Sequence, residues 1–295
     1  MSFLFDVGFV FIAGLITALA TGVGVIPFFF VEEFSDRWNV ALWGIASGIM
    51  VAASLFGLVN EGLAYASDGL PTLMVGGLIS GVVLVEVADR VLEWADVGGS
   101  NHEHDTEHDT EHDGDAAHGH DHPIDLEAFA EGDLKKLVLI LGILTVHSFP
   151  EGVAVGVSFA ELGLDGGVGM FGLSVPLLAV FMTIAISIHN IPEGTAIAIP
   201  MRAMGLSKWR MVGAAVFSSL PQPIGAVIAF VFVRWAESFL PFGFGFAAGA
   251  MIYLVLTEFI PEAVATGVDL PRRGYGELAT GITAGVLLML PLLYI

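Results

Sequence analysis

The chain has 295 residues, of which 55% are hydrophobic and 14% charged, and it carries a formal net charge of −21 without any cysteine. Ordinary soluble domains contain about a quarter charged residues, so this composition excludes them and predicts an integral membrane protein. Disulfides, thiolate metal ligands and cysteine nucleophiles are excluded by the lack of cysteine, and a nucleic-acid binder is excluded because no basic patch exists.

Hydropathy predicts an all-α fold: a polytopic membrane protein of eight transmembrane helices in a single domain that covers 1–295. Such apolar runs match the length of about 20 residues that crosses a bilayer. They are too long for barrel strands, and residues 1–30 lack the basic start of a cleavable signal peptide. The predicted spans are 3–30, 40–60, 71–94, 134–159, 170–200, 210–234, 240–260 and 276–295.

Basic residues collect on one side of this predicted topology. The connections after spans one, three, five and seven, with their flanks, hold nine of the ten basic residues, and the other side holds Arg234. Cytoplasmic loops carry such an excess, so both termini are predicted outside the cell membrane and loop 95–133 in the cytoplasm. The nine are Arg37, Arg90, Lys135, Lys136, Arg202, Lys208, Arg210, Arg272 and Arg273.

Loop 95–133 is a low-complexity stretch in which the unit EHDT repeats. It has too few apolar residues for a core and is predicted to be disordered. Imidazoles and carboxylates suit Zn²⁺ and similar ions, which favours accessory metal binding; an acidic linker with incidental histidines is the alternative. The acidic, lysine-poor balance also favours a high-salt cytoplasm, as in haloarchaea. Most of the histidines lie in this loop: His102, His104, His108, His112, His118, His120 and His122.

Two copies of one motif stand inside predicted spans four and five: HSFPEG begins at His147, and HNIPEG begins at His189. On a helix, a histidine and a glutamate four residues apart share one face and lie about 6 Å apart along the axis. Because the two spans run antiparallel, His147, Glu151, His189 and Glu193 are predicted to meet near mid-membrane. Such a set of two histidines and two glutamates suits Zn²⁺, Fe²⁺, Mn²⁺ or Cd²⁺.

The position of these motifs in the membrane is costly. Each ionised glutamate at the bilayer centre costs roughly 2.5–3.5 kcal/mol, which a divalent cation or a water-filled path would offset and idle packing would not. Pro150 and Pro192 leave the carbonyls of Val146 and Ile188 without helical partners, so these carbonyls are free to join a site. A lone buried histidine or proline is more often structural, but two complete copies favour a metal site.

A second similarity relates predicted spans two and seven, which contain ASGIM at 46–50 and AAGAM at 247–251. Spans two and seven run in opposite directions, as do spans four and five. Inverted repeats of this kind are typical of secondary transporters. The alternative is the small-residue composition that packed membrane helices share.

These spans and the motif pair resemble the ZIP (Zrt-, Irt-like protein) family of divalent-metal transporters over essentially the whole chain. The resemblance implies a ZIP-like helix bundle with an inverted repeat, its eight helices grouped as three, two and three. It also implies that the protein imports metal as its substrate, without an organic cofactor, and that it assembles as a homodimer. It implies that the two histidines and two glutamates form the transport site and that Met50 and Glu258 line the pathway. It also implies alternating access by an elevator-like sliding of spans one, four, five and six.

Two positions depart from the family pattern. Ser148 stands where the fourth-helix motif usually has asparagine, and Gln222 stands where a glutamate commonly completes a second metal site. That site would keep Asn190 and the shared glutamates of the motifs, with weaker neutral ligands. Because a lost carboxylate removes a charge that attracts a second dication, one well-occupied metal is predicted, with the second weak or absent.

Other acids and other functions have alternatives that stay open. Glu258 and Glu262, four residues apart, would pass metal toward the loop, or Glu262 marks a solvated helix end; Glu86, Asp89 and Glu93 are interpreted as a wetted end of span three.

An exporter would use the same site. An intramembrane metalloenzyme is disfavoured because HExxH is absent, and no GxxxxGK[ST] phosphate loop occurs. A secondary transporter that is not an enzyme is favoured, with Zn²⁺ as its first metal.

Overall fold

The computed structural model describes residues 3–31, 34–65, 71–97, 134–164 and 167–291, all with side chains except 92–97, 134–141, 143 and 144. Within these ranges, one long helix occupies the position of each predicted span. The helices are α1 (Phe3–Val23), α2 (Asp36–Ala64), α3 (Thr72–Val97), α4 (Leu134–Ser158), α5 (Leu177–Ala203), α6 (Lys208–Trp235), α7 (Glu237–Thr266) and α8 (Tyr275–Met289). The histidines of loop 95–133 lie outside the described residues.

Six helices in the described part of the chain are long and apolar enough to cross a membrane: α1, α2, α5, α6, α7 and Thr72–Val91 of α3. This finding confirms a mainly helical, multi-pass membrane protein. Helices α4 and α8 extend over 25 and 15 residues in the positions of predicted spans four and eight. The total of eight spans stays a prediction. The main buried apolar cluster draws on α1, α2 and α4 to α8.

The predicted start of span five, at residue 170, is wrong. An antiparallel hairpin precedes the helix, in which β1 (Val168–Met170) pairs with β2 (Leu173–Val175). Phe171 and Gly172 form its two-residue turn with φ values of 51° and 78°, the left-handed values that a type I′ turn requires. Pro176 then caps the start of α5. Short apolar strands are easily taken for part of the following helix, because hydropathy does not separate them.

Two helices contain π-helical turns, Ala53–Val59 in α2 and Val255–Phe259 in α7. A π turn inserts an extra residue into the helix, which changes the direction of the side chains beyond it, and such turns are frequent at functional sites. Pro150 and Pro192 lie inside α4 and α5, and both helices continue through them. The irregular turns therefore lie in α2 and α7 rather than in the helices that carry the two motifs.

Glycines allow direct backbone contact where α2 crosses α8 and where α3 crosses α7. A Cβ atom on Gly48 would lie 2.2 Å from the carbonyl oxygen of Ile282, and one on Gly249 would lie 2.2 Å from that of Leu78. Small residues of this kind let membrane helices approach closely. The glycines at the two crossings correspond in order: Gly44, Gly48, Gly281 and Gly285 at the first, and Gly245, Gly249, Gly77 and Gly81 at the second.

Candidate metal site

Three of the four predicted ligands meet in one buried group. The ligand atoms of Glu151 on α4 and of His189 and Glu193 on α5 all lie within 4.8 Å of one another. His189 Nε2 is 3.0 Å from Glu151 Oε1 and 3.4 Å from Glu193 Oε1, and none of the three residues is more than 3% exposed. We call Glu151, His189 and Glu193 the deep group. One imidazole nitrogen and two carboxylates form a ligand set that Zn²⁺ and related ions accept.

The glycine that ends each motif brings a further helix close to the deep group. A Cβ atom on Gly152 would lie 2.2 Å from the carbonyl oxygen of Gln222 on α6. A Cβ atom on Gly194 would lie 1.8 Å from the carbonyl oxygen of Thr21 on α1. Any larger residue at either position would push these helices apart. Helices α1 and α6 therefore pack against the backbone directly beside the two glutamates.

Gln222 connects the deep group to the predicted second site. Its Nε2 donates to Glu151 Oε2 at 2.5 Å, and its Oε1 accepts from Asn190 Nδ2 at 2.9 Å. Asn190 Nδ2 also donates to the carbonyl oxygen of Thr17 on α1 at 2.6 Å. The Oδ1 atom of Asn190 is buried and has no hydrogen-bond partner among the described residues. The amide donor of Gln222 thus stands beside the carboxylate oxygen that a second cation would need.

The fourth predicted ligand, His147, lies in a separate group. Its Nε2 is 3.0 Å from Oδ1 of Asp89 on α3, and Asp89, His147 and Glu258 place ligand atoms within 4.8 Å of one another. The side chain of His147 is 1% exposed and that of Asp89 is 22% exposed, while Glu258 on α7 is partly buried. We call Asp89, His147 and Glu258 the shallow group. The structure thus divides the four predicted ligands between two groups that share α4.

Asp89 is the candidate residue that sequence reasoning missed. It was expected at a wetted helix end, yet it contacts a buried histidine. An ionisable residue inside a predicted span is a functional hypothesis by default, and that rule applied to the stretch 71–94 would have singled it out. Its neighbour Glu86 accepts a hydrogen bond from the hydroxyl of Tyr253 on α7 and pairs with Arg90 at 2.5 Å. Asp89 and Glu86 therefore contact other side chains instead of only water.

The remaining predicted site residues among those described are all buried or partly buried. Ser148 is 2% exposed and follows His147, and Met50 is fully buried on α2 just before its π turn. Glu262 is partly buried and accepts a hydrogen bond from Thr266 at 3.4 Å. Of the two predicted pathway residues, Met50 and Glu258, it is Glu258 that belongs to a ligand group, because its carboxylate lies beside His147.

Known proteins resemble the whole chain. The family model of the ZIP zinc transporters matches residues 7–292. The zinc transporter GufA of Myxococcus xanthus is 28% identical over 95% of this chain and 96% of its own length. The zinc transporter ZIPB of Bordetella bronchiseptica is 32% identical over 96% of this chain and 80% of its own length. A candidate zinc transporter of Arabidopsis thaliana is 37% identical over 84% of this chain, which spans 33% of that protein. Since the family model and the bacterial relatives cover nearly all of its residues, the chain belongs to the ZIP zinc transporter family.

Proposed function

We propose that this chain is a secondary transporter that moves divalent transition-metal ions, Zn²⁺ first, across the cell membrane toward the cytoplasm. The observation that carries the proposal is the deep group, in which two carboxylates and an imidazole are fully buried on adjacent helices. Family membership supports it, since the relatives GufA and ZIPB carry the name zinc transporter. Members of the family are named as transporters and not as enzymes.

The charge of the deep group favours a dication. Within the described residues, no lysine or arginine forms an ion pair with Glu151 or Glu193. A protonated His189 would cancel one of the two negative charges and leave the other. Because each ionised carboxylate at the bilayer centre costs roughly 2.5–3.5 kcal/mol, a bound ion with two positive charges stabilises the group more than a monovalent ion does.

The shallow group extends the proposed path toward water. His147 lies one helical turn from Glu151 on α4, so a metal ion that leaves the deep group meets a second set of ligands on the same helix. Asp89 and Glu258 in that set are more exposed than any residue of the deep group. With the predicted topology, Asp89 lies toward the cytoplasmic end of α3. A metal ion would therefore pass from buried to more hydrated ligands on its way into the cell.

The polar contacts between helices favour a division into two rigid groups of helices, which we call bodies. The first body contains α1, α4, α5 and α6, and the second contains α2, α3, α7 and α8. We propose that the two bodies slide against each other during transport. Contacts within the first body pair Thr21 with Ser219, Thr195 with Gly24, Lys208 with Phe29, and Arg234 with Ala160. Contacts within the second pair Tyr253 with Glu86, and Arg37 with Glu277. His147 with Asp89 and Tyr65 with Glu161 cross between the bodies. Sliding of the first body would carry the deep group, since all three of its ligands belong to it.

Joining the two bodies is expected to stop transport. The chain has no cysteine, so a Tyr65→Cys/Glu161→Cys variant can be joined by a short bifunctional thiol reagent without side reactions. Metal uptake should fall to background once the pair is joined, because the outer end of α2 is then tied to the turn after α4. The matched control joins Ala160→Cys to Arg234→Cys inside one body and should keep uptake. Full uptake by the joined Tyr65/Glu161 pair, checked by intact mass, would argue against relative sliding.

An inverted repeat is part of the same proposal, with α1 to α3 related to α6 to α8, and α4 related to α5. Under this relation the α2–α8 crossing corresponds to the α3–α7 crossing, and the α1–α5 crossing corresponds to the α4–α6 crossing. The corresponding glycines support the relation, as do the carbonyls of Thr21 and Gln222, which both face a motif glycine. Repeats of this kind are common in transporters that alternate between two related states.

The proposal also includes the membrane orientation, the loop location and the oligomeric state that are predicted from the sequence. Both termini lie outside the cell, loop 95–133 lies in the cytoplasm, where its histidines would receive metal, and two copies assemble as a homodimer in the bilayer. The excess of basic residues on one side supports the orientation. In this orientation the shallow group lies on the cytoplasmic side of the deep group, so it would give metal entering the cell a second set of ligands, which supports the proposed import.

Flux into membrane vesicles tests the function. Purified protein in vesicles that contain a zinc-sensitive dye should give a saturable Zn²⁺ influx without ATP, and Fe²⁺, Mn²⁺ and Cd²⁺ added in turn should rank the competing metals. An importer loads right-side-out cell-membrane vesicles, whereas an exporter loads everted ones. A flux no larger than that of vesicles without the protein would contradict the proposal.

A further inference from the structure

Among the described residues, nothing forms the hydrogen bond to His189 that normally orients a metal-binding histidine. In metal sites, the ring nitrogen that does not bind the ion usually donates to a carboxylate, a carbonyl or water, and this contact fixes the ring. The Nδ1 atom of His189 is buried and has no hydrogen-bond partner among the described residues. Its Nε2 atom nevertheless faces both glutamates of the deep group at 3.0 and 3.4 Å. Among the described residues, the contact on the Nδ1 side of the ring is therefore not a hydrogen bond.

An aromatic stack contacts the imidazole. The ring of Phe259 lies against the ring of His189 with 5.2 Å between centroids and 25° between planes. Trp43 on α2 packs on Phe259, with 5.0 Å between centroids. His189, Phe259 and Trp43 are 0%, 2% and 4% exposed, so all three rings are enclosed. Stacked aromatic pairs are directional, because ring quadrupoles favour offset arrangements over others.

We propose that Phe259 is the positioning residue of His189: its ring, backed by Trp43, holds the imidazole so that Nε2 points between Glu151 and Glu193. The inference rests on the proposed function, because it assigns a role in the same deep group. Phe259 does not touch the metal ion. It acts by restricting the rotation of the His189 side chain before the ion binds.

The place of Phe259 in the fold makes this support dependent on the state of the transporter. Phe259 is the last residue of the π turn in α7, and the residue before it, Glu258, belongs to the shallow group. The π turn thus directs two consecutive side chains at the two ligand groups. Because α7 and α2 belong to the body that does not carry the deep group, sliding removes the stack from His189. Metal affinity of the deep group should therefore be higher in the position seen here than after sliding.

The test compares metal binding and transport in leucine variants of buried phenylalanines. F259L removes the ring and keeps most of the apolar volume. The control F230L makes the same change on α6, where the ring of Phe230 is fully buried and stacks on Phe3. The dissociation constant of Zn²⁺ for the purified protein should rise about tenfold in F259L, as when a ligand-orienting contact is lost, and stay within twofold of wild type in F230L. The KM for uptake should rise with it while the maximal rate stays.

The same substitution in an H189Q variant separates a role of Phe259 in orienting His189 from a general role in packing. In H189Q, no imidazole remains to be oriented, so F259L should change the dissociation constant no further. An unchanged constant in F259L, an equal rise in F230L, or a full tenfold rise in the H189Q background would overturn the role of Phe259. F259M enters the same comparison if F259L is not recovered in folded form. A wild-type chain that neither binds nor carries metal would instead contradict the proposed function.

Discussion

Replacing Glu151 or Glu193 by glutamine is expected to lower Zn²⁺ uptake by about 100-fold or more. Each change removes one negative charge from a group whose members are at most 3% exposed. At an effective dielectric constant of about 20, a unit charge at about 4 Å contributes about 4 kcal/mol per opposing unit charge, and every 1.4 kcal/mol is roughly tenfold in affinity. The amide oxygen retains part of the coordination, so the loss should stay below the full electrostatic figure.

Uptake and thermal stability together distinguish a lost ligand from a damaged fold. Zn²⁺ should raise the melting temperature of the wild type, because an ion that binds only the folded state stabilises it, and the same zinc concentration should raise that of E151Q and E193Q by less. E277Q is the matched control: it disrupts a partly exposed pair with Arg37 at 3.7 Å, away from the deep group, and should keep both uptake and the zinc-induced shift. Wild-type uptake in either E151Q or E193Q would end the assignment of the deep group as the transport site.

Hydropathy and residue spacing predict much of this architecture, because both can be determined from short stretches of sequence without knowing which helices pack together. Long apolar runs locate the helices, since the lipid environment requires them. An interval of four residues places His189 beside Glu193 on one helix face. The same rule places His147 near Glu151 along α4, but it does not decide which partners from other helices reach each side chain. His147 contacts Asp89 for that reason, although the sequence alone pairs it with Glu151.

The features that sequence did not predict depend on packing between distant segments. The hairpin before α5 depends on positive φ at Phe171, a conformation that phenylalanine itself does not favour. The π turns in α2 and α7 have no residue pattern of their own and arise where helices must adjust to their neighbours. Phe259, which stacks on His189, belongs to one of these turns. The residues that support the deep group therefore come from helices that carry no motif.

Exchanging Gln222 for glutamate is expected to add a second metal ion beside the one in the deep group. In the present structure the Nε2 donor of Gln222 neutralises part of the charge on Glu151 Oε2 at 2.5 Å. A carboxylate in its place would bring two negative oxygens together, and they repel unless a cation or a proton lies between them. Asn190 contributes a further oxygen, because its buried Oδ1 lacks a partner among the described residues. The variant thus provides charge and ligands where the wild type has a hydrogen-bond donor.

Titration of the purified protein with Zn²⁺ measures this change directly. Q222E should saturate with one ion more per chain than the wild type, with the added ion bound better as pH rises, because protons compete for the added carboxylate. Q222M removes the donor without adding charge and should match the wild-type stoichiometry, which separates electrostatics from the loss of a hydrogen bond. An unchanged stoichiometry in Q222E at saturating metal and alkaline pH would show that the amide of Gln222 does not limit the second site. The wild-type amide would then serve only to orient Glu151, and weak binding at the second site would need another cause in α1, α5 or α6.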